Sequence, residues 1–136
     1  MQYNYDFEIA SLLIMTIILL HFVFVRQFPG EKTRVFGWLL FVCEAECLMN
    51  ILSCVGLANA ALVPQRLNEV LAFAFFVLEG ASSYLVYRYF MAACALRGRE
   101  RTVFAAAGMI PFAAFLVLVA VTPVTGFFYY FSDGSY

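Results

Sequence analysis

The chain has 136 residues, 65% of them hydrophobic and only 12% charged, with a formal net charge of −1. A water-soluble domain is nearer half apolar and a quarter charged, so the balance excludes an ordinary soluble globule. Too few polar residues lie outside the apolar runs to build an active site in water, and no nucleic-acid partner is expected.

The first element follows "MQYNYDFE", which carries two acids and no base. A secretory signal opens with positive charge, so this start reads as the lead into a retained helix. The apolar run "IASLLIMTIILLHFVFV", residues 9–25, predicts a helix over about 7–25. His21 falls near its end, where an interfacial histidine is the plain reading; a lone histidine cannot supply a triad or a metal cluster. Further apolar runs predict helices over about 35–58, 68–97 and 102–123. Each is near or above the roughly 20 residues that span a bilayer, and each is apolar nearly all round, unlike a surface helix of a soluble bundle. The expected fold is therefore all-α: one integral-membrane domain over 1–136, a four-helix transmembrane bundle. Cys43, Cys47, Cys54 and Cys94 all fall in the predicted spans, which argues against an extracellular disulfide framework.

The charges set an orientation. Arg26, Lys32 and Arg34 lie in the first connection and Arg97, Arg99 and Arg101 in the third, which makes six of the eight basic residues. Basic loops are retained in the cytoplasm, so both termini are expected outside. Tyr3, Tyr5, Phe7 and the later "FFYYF" then serve as anchors at the outer interface. The runs flanking "RGRER" exceed what a perpendicular span needs, so helices three and four tilt or project into the cytoplasm. Pro111 inside the fourth run predicts a kink. The stretch "FFYYFSDGSY" at the end reads as a cut through a larger, multi-span module.

Polar residues inside the spans are the candidate site. "FVCEAECLMN", residues 41–50, holds Glu44, Glu46 and Asn50. At 100° per residue Glu46, Asn50 and Ser53 share a face flanked by Cys43, Cys47 and Cys54, whereas Glu44 lies about 160° from Glu46. The two glutamates therefore cannot converge as an acid/base pair from this helix alone. Interhelical hydrogen bonding by the stripe is the plain expectation, and a sensing role the sharper one. In helix three, Glu79 shares a small-residue face with Ala72 and Ser83, suited to close helix approach. Arg88 lies roughly 13 Å further along the helix on the opposite face, where it can snorkel to the interface among Tyr84, Tyr87 and Tyr89. "CEAEC" lacks a second ligand group at metal spacing, and no P-loop, HExxH or GxSxG motif occurs. No catalytic residue, cofactor or metal is expected.

"YDFEIASLLIM" followed by "HFVFVRQFPGEKTRVF", with "MNILSCVGL" and "TPVTGFFYYFSDGSY" further on, resembles the N-terminal multi-span sensor region of Gram-positive bacterial signalling proteins. There it precedes a GGDEF diguanylate cyclase domain, sometimes with EAL, or a sensor histidine kinase core. The resemblance covers essentially the whole chain and carries over no catalytic residue, since no GGDEF, EAL or phospho-acceptor motif is present. It implies a non-catalytic sensory and anchoring region in the bacterial plasma membrane, upstream of a cyclic di-GMP-producing output domain. Its partners would be the bilayer, further helices or the output domain of the parent, and in one arrangement a second copy. The alternative is a small four-helix, proton-coupled multidrug-type transporter using Glu46 or Glu79. Against it stand the strong charge bias and a first helix that offers only Glu8, at its rim.

Overall fold

Long apolar runs leave a backbone no water to bond with, and a helix satisfies its N–H and C=O groups within the segment. Four helices result in the computed structural model: α1 (Asp6–Phe24), α2 (Glu31–Ala58), α3 (Gln65–Ala93) and α4 (Gly98–Thr125). The structure describes residues 6–25, 30–59, 62–94, 96, 98–126 and 128, and no strand occurs among them. Tyr3, Tyr5, Arg26, Arg97 and all of "FFYYFSDGSY" but Phe128 lie outside the described residues. All four helices are long and apolar enough to cross a membrane.

The boundaries move charge from loops into helices. α2 starts at Glu31, so Lys32 and Arg34 occupy its first turns, and α4 starts at Gly98, which puts Arg99 and Arg101 in its first turn. Glu31 and Glu100 also sit there, where an acid complements the helix dipole. α2, α3 and α4 have 28, 29 and 28 residues. At 1.5 Å per residue each is about 42 Å long, beyond a hydrocarbon core of about 30 Å, so the charged first turns of α2 and α4 have room to stand outside it. α4 runs as one helix through Pro111 and Pro123. It stops at Gly126, whose φ of 65° suits a residue without Cβ and whose N–H bonds the Thr122 carbonyl at 2.7 Å. Beyond this turn Phe128 stacks on Phe76 of α3, centroids 5.1 Å apart, and tilts against Phe115 of α4.

The four helices do not all pack on one another. α1 packs on α2, α2 on α3 and α3 on α4, with no other helix pair in backbone contact among the described residues. The helices make an open row. In water such a row would expose too much apolar surface, and a bundle would close to hide it. Lipid tails are as apolar as leucine, so in a bilayer that driving force is missing. Few large apolar side chains are accordingly buried: Val35, Leu40 and Val119 are, while Phe7, Ile17, Ile110 and many others stay exposed.

Glycine marks every crossing in the row. Gly37 lies under the Phe22 ring of α1, Gly56 under the Asn68 side chain of α3, and Gly80 under Phe115 of α4. At a second α3–α4 crossing Tyr87 lies on Gly108. A Cβ at Gly37 or Gly80 would stand 2.8 or 2.7 Å from the ring above it, closer than packed carbons tolerate. Small residues at crossings are how apolar helices gain van der Waals contact without water.

Candidate functional site

α2 is an inner helix of the row, so it has a neighbour on each side and a polar seam against each. Glu44 faces α1, where the Thr16 hydroxyl donates to its Oε1; the same hydroxyl also lies 2.8 Å from the Leu12 carbonyl. The Glu44 Oε2 atom is buried without a partner, as is Oε2 of Glu8 higher on the same seam. Glu46 faces the other way. It lies against the Ser82 hydroxyl of α3 and is close enough to the Glu79 carboxylate for the two to repel each other. Ser82 itself donates to the Glu79 carbonyl at 2.9 Å. The roughly 160° between the glutamates, which sets Glu44 outside the single stripe expected of α2, is thus the angle between two helix interfaces.

The rest of the expected stripe is less engaged with neighbours. Asn50 accepts a long contact, 3.9 Å, from the Cys54 thiol one turn on, within α2 itself. Ser53 Oγ is buried with no hydrogen-bond partner. Near this end of the α2–α3 interface Asn68 is 95% buried (5% exposed), its Oδ1 unpartnered and pressed on Gly56. Sequence reasoning missed Asn68, which it placed at the start of helix three; a polar residue ten positions from Ala58 across a short turn was the available signal.

At the basic end of the row one carboxylate ties three helices together. Glu31 of α2 accepts from Arg101 of α4 and pairs with Arg88 of α3 at 3.6 Å. Arg88 also donates to the Tyr84 hydroxyl at 3.5 Å. It is therefore a clasp residue as well as an interfacial one. The three charged side chains are 36–51% exposed, so this clasp is a weak, screened contact in strength. Arg88, Arg101 and Glu31 border a cavity of about 290 Å³. A second cavity, about 270 Å³, lies at the same end between His21, Lys32 and Tyr89.

A groove of about 620 Å³ opens between α3 and α4. On the α3 side it is lined by Glu79, Gly80, Ser83, Tyr84 and Tyr87, positions three and four apart that share one helix face. On the α4 side Phe104, Gly108, Pro111, Phe112 and Phe115 do the same. Two contacts hold the helices together beside the opening: Tyr84 stacks on Phe112 with centroids 4.8 Å apart, and the Tyr87 hydroxyl donates to the Phe104 carbonyl at 2.6 Å. The close approach expected for the Glu79 face is made instead by Gly80, one residue on, while Glu79 and Ser83 are left exposed beside the groove. The volume falls in the range of pockets for drug-sized ligands.

The structure thus sets Glu46 against α3 within electrostatic range of Glu79, gives Glu44 to α1, leaves Asn50 to its own helix, and puts Arg88 in a separate cluster. Among the described residues no three His, Cys, Asp or Glu side chains gather as metal ligands. No model of a protein family matches the chain, and no curated protein or solved structure matches it either.

Proposed function

We propose that this chain is a non-catalytic sensory and anchoring region in the plasma membrane of a bacterium, belonging to a signal-transduction protein. A ligand between α3 and α4 shifts their packing, and the shift reaches a cytoplasmic diguanylate cyclase or kinase output domain through the basic end. One observation carries this reading: the groove and the clasp are contiguous. Tyr87 lines the groove and Arg88, the next residue, pairs with Glu31; Phe104 lines the groove and Arg101, one turn away, pairs with the same carboxylate. Moving α3 against α4 at the groove must therefore reset the clasp. Weak contacts suit this, because a ligand shifts an equilibrium only by its differential affinity for the two states. Four apolar helices and the six basic residues near one end support the membrane placement and the inside position of that end.

The test joins the chain to a GGDEF cyclase domain and follows cyclic di-GMP in bacterial cells. Ala107→Phe, which fills the groove, is expected to change output at unchanged membrane content. Output that ignores Ala107→Phe and Glu31→Gln alike would overturn the reading.

One observation favours a second reading, the proton-coupled transporter: Glu46 and Glu79 lie within electrostatic range of each other near the middle of α2 and α3. Proton-driven efflux that disappears in Glu46→Gln would promote it over the first.

A further inference from the structure

Glu79 stands fourteen residues from each end of α3, at Gln65 and Ala93. That is about 21 Å from either end, the depth at which a charge is most costly in a bilayer. A carboxylate there normally faces a partner. None of the described cations serves. Arg88 is about 13 Å further along the helix and is engaged by Glu31, and the only ion pairs among the described residues are those at Glu31. Across the α2–α3 interface Glu46, a second carboxylate, lies within electrostatic range. Glu79 therefore stands at mid-depth on the lining of the α3–α4 groove, with no cation paired to it among the described residues.

The rest of that groove's lining is largely aromatic, with rings contributed by both helices. Tyr84 and Phe112 stack in near-parallel planes, 16° apart, and Tyr87, Phe104 and Phe115 continue the wall. Ring faces carry negative potential and attract cations, most strongly where water is excluded. A small hydrated metal ion gains little from rings and would need a cage of oxygen ligands, which the described residues do not offer. An anionic amphiphile would be repelled by Glu79 and Glu46. A lipid tail would fill the volume and leave the charge unbalanced. The occupant that answers both the carboxylate and the aromatic lining is apolar over most of its surface and carries one positive charge.

We propose that the α3–α4 groove binds a hydrophobic organic cation, with Glu79 as its counter-ion and the rings of Tyr84, Tyr87, Phe112 and Phe115 as its apolar wall. The proposal rests on reading this groove as the sensing site.

The test uses the full chain in nanodiscs of neutral phosphatidylcholine, with tetraphenylphosphonium as the probe and tetraphenylborate as its charge-reversed counterpart of the same shape. Saturable binding of the cation and none of the anion is expected. Glu79→Gln should weaken cation binding at least tenfold, Glu79→Asp less, and Ala107→Phe should abolish it. Helix content and thermal unfolding of each variant show that it is folded, and if Glu79→Gln is not, the Asp and Phe variants still decide. Equal binding of cation and anion, or a charge-removing variant that binds as the parent does, would overturn the proposal and leave the groove a seat for lipid tails. A spin-label distance between Lys32→Cys and Arg99→Cys, in a background lacking the four native cysteines, separates the two claims. Cation binding with no change in that distance removes the sensing reading and leaves the site. No cation binding, with Ala107→Phe still altering cyclase output, removes the cation and leaves the sensing reading.

Discussion

Glu44 and Glu46, two positions apart on α2, face opposite neighbours: Thr16 of α1 receives the first, and Ser82 and Glu79 of α3 receive the second. The relationship follows from the open row, in which an inner helix has two interfaces and no single inward face. It makes unlike demands on the two positions. Thr16→Val removes the interhelical donor to Glu44 and should lower stability by about 0.6 kcal/mol, the average for hydrogen bonds between membrane helices. Glu46→Leu removes one of two mutually repelling carboxylates, and the expected stability is unchanged or higher. Thermal unfolding of both variants in one detergent checks the contrast, and a Glu46→Leu protein much weaker than Thr16→Val would refute it.

Gly56 of α2 lies under the buried Asn68 side chain of α3. A Cβ at position 56 would collide with the buried Asn68 Oδ1. Overpacking of this kind costs about 1–3 kcal/mol, and Gly56→Ala should destabilise the protein by that order. Adding Asn68→Ala should recover most of the loss, because the colliding atom is gone. A double variant no more stable than Gly56→Ala would show that the backbones, rather than the side chain, set the separation.

Tyr87 and Gly108 make the matching contact between α3 and α4. Tyr87→Phe keeps the ring on Gly108 and deletes only the bond to the Phe104 carbonyl. A loss of about 0.6 kcal/mol in unfolding is expected, with helix content unchanged. Gly108→Leu would displace the ring itself and should cost several times more.

Glu31 holds Arg88 and Arg101 in a contact open to solvent. Exposed pairs are worth about 0–1 kcal/mol and are screened over about 8 Å at physiological salt. Glu31→Gln should therefore change stability little while lengthening the spin-label distance between the basic ends of α2 and α4. High salt applied to the parent protein should lengthen it in the same direction. A distance that ignores both would mean that α4 is positioned by α3 alone.

Orientation is read with an impermeant thiol reagent on intact cells, using single cysteines in a cysteine-free background. Leu62→Cys, in the α2–α3 connection, should be labelled, and Lys32→Cys should not. The reverse pattern would invert the assignment of the basic end to the cytoplasm.

Sequence alone was enough for the number of helices and their place in the chain, because apolar run length and the need to satisfy backbone groups are local properties. The clustering of basic residues at one end was equally legible, since each lies near a helix terminus whatever the packing. Local properties could not say which helices touch. The 100° periodicity put Glu44 and Glu46 on different faces of α2 but could not show that both faces are interfaces, and so suggested one stripe turned into a bundle. Nor could it show that Gly56 lies under Asn68, that Tyr87 seats on Gly108, or that Glu31 gathers arginines from two other helices. Those pairings join residues 12 to 70 positions apart, and they depend on how antiparallel helices slide and rotate against each other. In an apolar surrounding that choice is made by small differences in van der Waals fit at glycines and by a few polar contacts, which only the packed structure reveals.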